Sequence, residues 1–220
     1  SCTIGDKKIF TGTSVFGFFP PAALANQIGL ATSKEQRAEF EAPGNVLIDL
    51  RGQPARYFDG GARLSRPMLR MIDRVTMFEP TGGAHGKGRI RADMDIDPRA
   101  WLFKAHFFQD PVQPGSLGIE AMRQTLAFAM LELGLDEGIP NAMFLPLESK
   151  KDIDGSSPTP DMIWKYRGQV IPANAKVTIT MDLVEVGRDT RGSYARCETS
   201  LWADGKRIYE ARGMGLRIVP

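Results

Sequence analysis

Alternation of apolar and polar residues over much of the chain predicts long β-strands. Turn-forming residues separate the alternating segments, as at Pro80, Gly82 and Gly83 between the first two. Antiparallel strands of this kind bury one face on a core and leave the other face polar. The predicted strands span residues 69–78, 86–95, 163–170, 177–186, 193–203 and 207–219.

Between the second and third of these strands, the spacing of apolar residues predicts one long helix over residues 117–133. The apolar residues recur at intervals of three and four but also occupy other faces, as in a helix that is covered on most sides. We therefore expect a sheet that wraps around this helix, an α+β architecture. The apolar positions are Leu117, Ala121, Met122, Leu126, Ala129, Met130 and Leu133.

The first part of the chain is less regular. Spacing predicts short helices over residues 22–30 and 33–40, and Ser33 is a suitable N-cap for the second. Glycine and proline interrupt residues 44–61, and the apolar residues 46–50 within them form either a strand or a lid. We expect this region to pack on the domain that follows.

These patterns divide the chain into an N-terminal extension or linker, residues 1–61, and a main domain, residues 62–220. With 42% hydrophobic residues, the chain has enough apolar side chains for one good core. Residues 152–160 form a turn-rich insertion in the main domain with no evident role.

Charge and cysteine content exclude several classes of function. A net charge of +2 is too small for a nucleic-acid-binding surface. No apolar run approaches the roughly 20 residues that span a bilayer, and no signal peptide is visible, so we expect a cytoplasmic protein without a membrane partner. Cys2 and Cys197 do not make a disulfide framework, and with only His85 and His106 no zinc-binding spacing exists, so we expect no metal.

Residues 106–122, HFFQDPVQPGSLGIEAM, combine three features that suit proton abstraction beside a carbonyl group. His106 supplies a histidine, the residue type that exchanges protons near neutral pH. Glu120 lies in an apolar helix, where a buried carboxyl group can stay protonated. The N–H of Gly115, at the predicted helix start, can stabilise a developing oxyanion. Each residue also has a purely structural alternative, as a packed histidine, a surface carboxylate or a turn glycine.

This segment resembles the active-site segment of the bacterial β-hydroxydecanoyl-acyl carrier protein dehydratase/isomerase family, which has the hotdog fold. The resemblance extends over about three-quarters of the chain, in the same order. The other matching segments are residues 71–75, 95–103, 168–172 and 204–209.

The resemblance implies dehydration of 3-hydroxyacyl thioesters on acyl carrier protein to trans-2-enoyl thioesters. It implies His106 as the base, Glu120 as the acid and the Gly115 N–H as the oxyanion donor, with Ser116 and Gln124 also in the substrate site. The substrate would arrive on the phosphopantetheine arm of the carrier, with no further cofactor. In the family, the histidine of one hotdog domain meets the acidic residue of another, so we expect a homodimer or a pseudo-dimer with an adjacent hotdog domain.

Three positions depart from the isomerase pattern. Glu120 replaces an aspartate, Ser116 a cysteine and Arg123 a tryptophan. Glutamate is usual in related dehydratases that do not isomerise, so the resemblance favours dehydration over isomerisation. The alternatives are a hotdog thioesterase, which would release a free acid, and a structural hotdog module without activity.

The N-terminal residues carry a second resemblance. Residues 15–30 are similar to the segment that joins tandem dehydratase domains in polyunsaturated fatty acid synthases, which identifies the chain as such a domain. Residues 7–12 also resemble residues 206–211. One interpretation makes residues 7–12 the last strand of a preceding hotdog domain, and the alternative is a chance similarity between two amphipathic strands.

Three basic residues, Arg66, Arg70 and Lys165, are candidates for contact with the carrier protein. We expect Asp110 to fix the loop after His106 and not to take part in chemistry. His85, beside a glycine in a hairpin, is expected to be exposed.

Overall fold

A computed structural model describes residues 1–10, 20, 22–23, 26–147 and 162–220. Its main sheet has eight strands in the order β3-β4-β5-β8-β9-β10-β6, with β7 also paired to β10. The strands are β1 (Cys2–Ile4), β2 (Lys7–Phe10), β3 (Ile48–Asp49), β4 (Arg74–Glu79), β5 (Arg89–Asp95), β6 (Met143–Pro146), β7 (Ile163–Tyr166), β8 (Lys176–Asp189), β9 (Gly192–Ala203) and β10 (Lys206–Val219). The helices are α1 (Lys34–Glu41), α2 (Ala55–Phe58), α3 (Leu102–Ala105) and α4 (Gly115–Glu132).

The sheet wraps around α4, which has buried residues on nearly every face. All main-sheet pairings are antiparallel, and the longest run between β8, β9 and β10. Gly118 allows close packing of helix on sheet, because a Cβ there would clash with the ring of Tyr209. A long antiparallel sheet around a central helix is the hotdog arrangement, and the predicted α+β hotdog fold is confirmed.

The long C-terminal strands and the central helix agree with the sequence pattern, but β4 begins five residues later than predicted. Residues 69–73 alternate in polarity, yet they belong to a loop. The Leu69 and Arg70 N–H groups donate to the carbonyl of Arg66 in a turn, and the Gln124 side chain binds the backbone of Leu69 and Met71. These contacts with α4 replace the pairing that a strand would need.

Helix α1 confirms the prediction for residues 33–40. Ser33 and Gln36 form a capping box, in which each side chain binds the other residue's backbone N–H. The helix lies on the outer face of the sheet, where Phe40 stacks on Trp202 with ring centroids 4.6 Å apart. Arg37 Nη1 donates to the carbonyl of Gly205 at 3.0 Å.

The helix predicted over residues 22–30 is wrong for the part described from residue 26 onward. Gly29 has φ +80°, and the Leu30 N–H donates to the carbonyl of Arg207 at 2.8 Å, so the backbone departs from helical geometry and binds β10. Residues 11–19 lie outside the described residues, as does the predicted insertion at 152–160.

The irregular stretch from residue 44 to 61 does pack on the core, as expected. Ile48 and Asp49 form a short strand beside β4, which decides between the two interpretations of residues 46–50. Leu50 and Phe58 are wholly buried in the core cluster. Strand β6 was not predicted, because it depends on pairing with the end of β10.

The hairpin of β1 and β2 is separate from the main sheet. Both similar segments follow a two-residue turn. Residues 7–10 form β2 after Gly5 and Asp6, and the first residues of β10 follow Asp204 and Gly205. Among the described residues, no helix is long and apolar enough to cross a membrane.

Candidate active site

His106 follows α3 and is held by the loop beyond it. Its Nδ1 lies 3.1 Å from the carbonyl oxygen of Val112, and its ring centroid lies 3.8 Å from that of Phe107. A carbonyl oxygen only accepts hydrogen bonds, so Nδ1 carries the proton in the neutral imidazole. Nε2 therefore keeps its lone pair, and the half-buried His106 can accept a proton there.

The loop after His106 is closed by a bridge between Phe107 and Asp110. Gln109, inside it, adopts φ +58°, and the Val112 N–H donates to the Asp110 carbonyl at 2.9 Å. These backbone contacts agree with the loop-fixing role predicted for Asp110. They also set the position of the Val112 carbonyl that binds His106.

Helix α4 begins with Gly115 and Ser116, directly after Pro114 at the N-cap, which has no side-chain capping bond. The first N–H groups of a helix have no carbonyl four residues earlier to bind, and the helix dipole is positive there. Two aromatic side chains of β7 cover this end. A Cβ on Gly115 would lie 3.0 Å from the ring of Trp164 and 3.4 Å from that of Tyr166. The glycine therefore lets the free N–H groups at the start of α4 lie beside two aromatic rings. A carbonyl oxygen bound at this position can be polarised by these N–H groups.

Glu120 is held by Gln124, one turn further along α4. Gln124 Nε2 donates to Glu120 Oε1 at 2.8 Å and to the carbonyl of Leu69 at 2.6 Å, while its Oε1 accepts from the Met71 N–H at 2.8 Å. The Ser65 hydroxyl donates to the same Glu120 oxygen at 3.4 Å. Gln124 is only 3% exposed. One buried amide thus ties the helix to the loop before β4 and orients the Glu120 carboxyl group.

The structure does not join all the predicted site residues within one chain. His106 binds Val112, whereas Glu120 binds Gln124 and Ser65. Across the described ranges, no hydrogen bond or ion pair links His106 to Glu120. Each of the two groups is held in place by its own set of contacts.

The basic residues predicted to contact a carrier each have an acidic neighbour. This pairing reduces the net positive charge that they present to a partner. His85, by contrast, is exposed in the turn before β5, as predicted. The ion pairs are Arg66 with Asp59 at 2.9 Å, Arg70 with Asp73 at 3.0 Å and Lys165 with Glu210 at 3.2 Å.

A cavity of about 330 Å³ lies between the loop before β4, the end of β5 and α3. Gln113, two residues before α4, lines this cavity and is 1% exposed. Within the described part of the chain, neither amide atom of its side chain has a hydrogen-bond partner. Sequence reasoning missed Gln113, because a polar residue in a loop gives no sign of burial.

Residues 64–212, more than half of the chain, match the FabA-like domain. The chain belongs to the FabA-like family. The matched range of this FabA-like chain includes the His106 loop, the central helix and most of the main sheet. The resemblance seen in residues 106–122 is thus confirmed at the level of the family.

Solved structures that resemble this FabA-like chain include both dehydratases and thioesterases. A dehydratase heterocomplex from Xenorhabdus doucetiae has 12% identity and a TM-score of 0.42, over 71% of this chain and 86% of its own. A thioesterase from Haemophilus influenzae has 17% identity and a TM-score of 0.39, over 62% of this chain and 76% of its own. A thioesterase mutant from Pseudomonas aeruginosa has 16% identity and a TM-score of 0.39, over 66% of this chain and 81% of its own.

Proposed function

We propose that this FabA-like protein dehydrates 3-hydroxyacyl thioesters to trans-2-enoyl thioesters, with the substrate carried on the phosphopantetheine arm of an acyl carrier protein. The observation that carries the proposal is the hydrogen bond between His106 Nδ1 and the Val112 carbonyl. It leaves Nε2 as a base at a fixed position. Family membership supports the reaction class.

In this reaction, His106 Nε2 removes a proton from C2 of the substrate. The electron pair of that C–H bond forms the C2=C3 double bond, and the C3–O bond breaks. Glu120 in its protonated form gives its proton to the departing hydroxide, so water leaves. The proton on His106 then returns to the Glu120 carboxylate before the next cycle.

The start of α4 supplies the third element. The thioester oxygen gains negative charge when the C2 proton is removed, and the Gly115 N–H is the proposed donor to it. The aromatic rings of Trp164 and Tyr166 lie against this glycine. They limit access of water, which strengthens the hydrogen bond to the oxyanion. Ser116, the next residue of the helix, and Gln124 are proposed to border the substrate.

A second hotdog unit would complete the site. Strand β7 pairs with β10 on one side, and in the described part of the chain no strand pairs with its other edge. Ile163 is 50% exposed there and Trp164 38%. An exposed apolar strand edge favours pairing with another strand. Because this edge borders Gly115, pairing of two such edges would bring a partner's groups to the His106 side of the site.

Hydration of a crotonyl pantetheine thioester, the reverse reaction, tests the proposal directly. We expect loss of the enoyl absorbance and a product heavier by one water. His106→Ala and Glu120→Gln should each lower the rate by at least about 100-fold, because each removes one partner of the proton transfer. The measurement is ultraviolet absorbance with product mass, on protein whose oligomeric state is known.

His85→Ala is the matched control, since it removes the exposed histidine and should leave the rate unchanged. Release of crotonic acid would identify a thioesterase instead. No reaction in the dimer with carrier-bound substrate would favour a structural module.

A further inference from the structure

The cavity beside α3 lies between the two elements that hold the proposed catalytic groups. On one side, the loop before β4 contributes Met68 and Met71, and Gln124 ties this loop to Glu120. On the other side, α3 leads directly into His106. The cavity volume of about 330 Å³ is at the lower end of small-molecule sites. Its apolar walls include Met68, Met71, Met94, Trp101 and Phe103.

Charged residues also line this cavity, at Arg70, Asp73, Asp95 and Asp97, and Gln113 adds a buried carboxamide to them. Its backbone N–H donates to the Val170 carbonyl at 2.9 Å, which fixes the residue in place. The side chain is buried, yet within the described residues its Oε1 and Nε2 both lack a partner. Leaving a buried amide unpaired is unfavourable, so such groups normally have a hydrogen-bond partner. The Arg70 Nε, on the same cavity, also has no partner in the described chain.

The chemistry of a carboxamide indicates what it would bind. It presents a donor and an acceptor, and either one can pair with a secondary amide, whose carbonyl accepts on one side and whose N–H donates on the other. In a carrier-bound 3-hydroxyacyl thioester, only the pantetheine arm contains amides. The methylene and methyl groups of that arm suit the methionine and aromatic walls, since methionine side chains adapt to irregular apolar shapes.

We propose that this cavity binds the amide-bearing arm of the thioester substrate, with the Gln113 carboxamide hydrogen-bonded to one of its amides. The inference rests on the proposed function. It identifies the pantetheine arm as the part of the substrate that binds in this cavity. Gln113 is a specificity-determining residue in this account, because it contacts the carrier arm and takes no part in proton transfer.

Two crotonyl thioesters test the inference, one of pantetheine and one of propanethiol, which has no amide. The wild-type protein should hydrate the pantetheine thioester with the higher kcat/KM. Gln113→Met keeps the length of the side chain and removes both polar atoms. It should lower kcat/KM for the pantetheine thioester by about 10-fold, as expected when the amide of the bound arm loses its hydrogen-bond partner, and change the propyl value by less than about 3-fold. Lys87→Met, at an exposed polar residue in the turn before β5, is the control and should change neither value.

The two proposals fail in different ways. If both thioesters are hydrated and Gln113→Met lowers them equally, the amide pairing is wrong and the dehydratase proposal stands. If neither thioester is hydrated, the dehydratase proposal fails. The proposed binding of the arm in the cavity is then tested by titrating the wild-type protein and Gln113→Met with free pantetheine and measuring binding by NMR. Weaker binding to Gln113→Met would support it, and equal binding would overturn it. Circular dichroism and thermal melting of the variant show that it is folded.

Discussion

At the scale of single residues, the most connected side chain near the site is that of Gln124. Its amide uses three hydrogen bonds to join α4 to the backbone of the loop before β4 and to Glu120. Replacing it removes the partner of the buried Met71 N–H and of the part-buried Leu69 carbonyl, which is more costly than losing the hydrogen bonds alone. Gln124 is therefore a positioning residue whose loss affects both stability and the orientation of Glu120.

We expect Gln124→Leu to lower the free energy of unfolding by about 2–4 kcal/mol, since two backbone groups lose their partner. It should also lower kcat for hydration more than it raises KM, because the carboxyl group loses its fixed orientation. Urea denaturation and steady-state kinetics measure the two effects. Ser65→Ala, which removes only the 3.4 Å contact to Glu120, should cost less than about 1 kcal/mol. Equal effects of the two substitutions would contradict this role.

The residue types of the site were visible in the sequence, but their hydrogen bonds were not. The spacing of His106, Gly115 and Glu120 predicted the chemistry, and the structure places Gly115 at the helix start as expected. The tautomer of His106 depends on the Val112 carbonyl, whose direction is set by the fold of the loop. Gln113 becomes a buried group only when α3 and the loop before β4 come together.

At the scale of elements, the docking of α1 on the sheet contains a group that titrates near neutral pH. Glu39 lies at this contact with a side chain 17% exposed. Burial, and then the nearby Asp182 carboxylate, raise the pKa of Glu39 to about 7. The opposing positive charges are Arg89, Arg207 and Arg91.

This raised pKa predicts that α1 is bound more weakly as pH rises. Docked Glu39 still holds a proton between about pH 4.5 and 7, where an undocked carboxyl group has released it. Docking is therefore strongest below about pH 4.5 and weakens progressively up to about pH 7, by at most about 3 kcal/mol in total. Amide hydrogen exchange of α1 should show less protection in wild type than in Glu39→Gln at pH 8, and little difference at pH 5. The exposed Glu41→Gln serves as control; the same behaviour in both variants would contradict the prediction.

The sequence predicted the elements that depend on local contacts and missed those that depend on residues distant in the chain. Helix α1 carries its own capping box, and α4 and β8 to β10 have long regular patterns, so local sequence was sufficient. Residues 26–30 and β6 were mispredicted or missed because their backbones follow β10, a neighbour far away in sequence. The β4 boundary was wrong because Gln124 binds residues whose alternation suggested a strand.

At the scale of the whole molecule, we propose that the edge formed by β7 binds the second unit. Its exposed apolar residues lie beside the start of α4. Because His106 and Glu120 are not joined in one chain, the proposed reaction requires this edge to be paired. Oligomeric state and activity should therefore change together.

Ile163→Lys places a charge on this edge and should convert a dimer into monomers, with loss of hydration activity to the level of His106→Ala. Sedimentation velocity measures the first effect and the crotonyl assay the second. Val184→Lys is a matched control at another exposed aliphatic residue, on β8, and should change neither. A fully active monomer would contradict the shared site.

The stacking of Phe40 on Trp202 also bears on how this sequence can change during evolution. Trp202 lies on β9 and is wholly buried, with its indole N–H bound to the Thr180 hydroxyl at 3.1 Å. Phe40 and Arg37 of α1 cover the rest of the ring. A lineage that discarded the extension would expose this indole to water, so it would be under selection to replace the tryptophan with a polar residue. Positions 40 and 202 are therefore expected to co-vary among homologues, although 161 residues separate them in the chain.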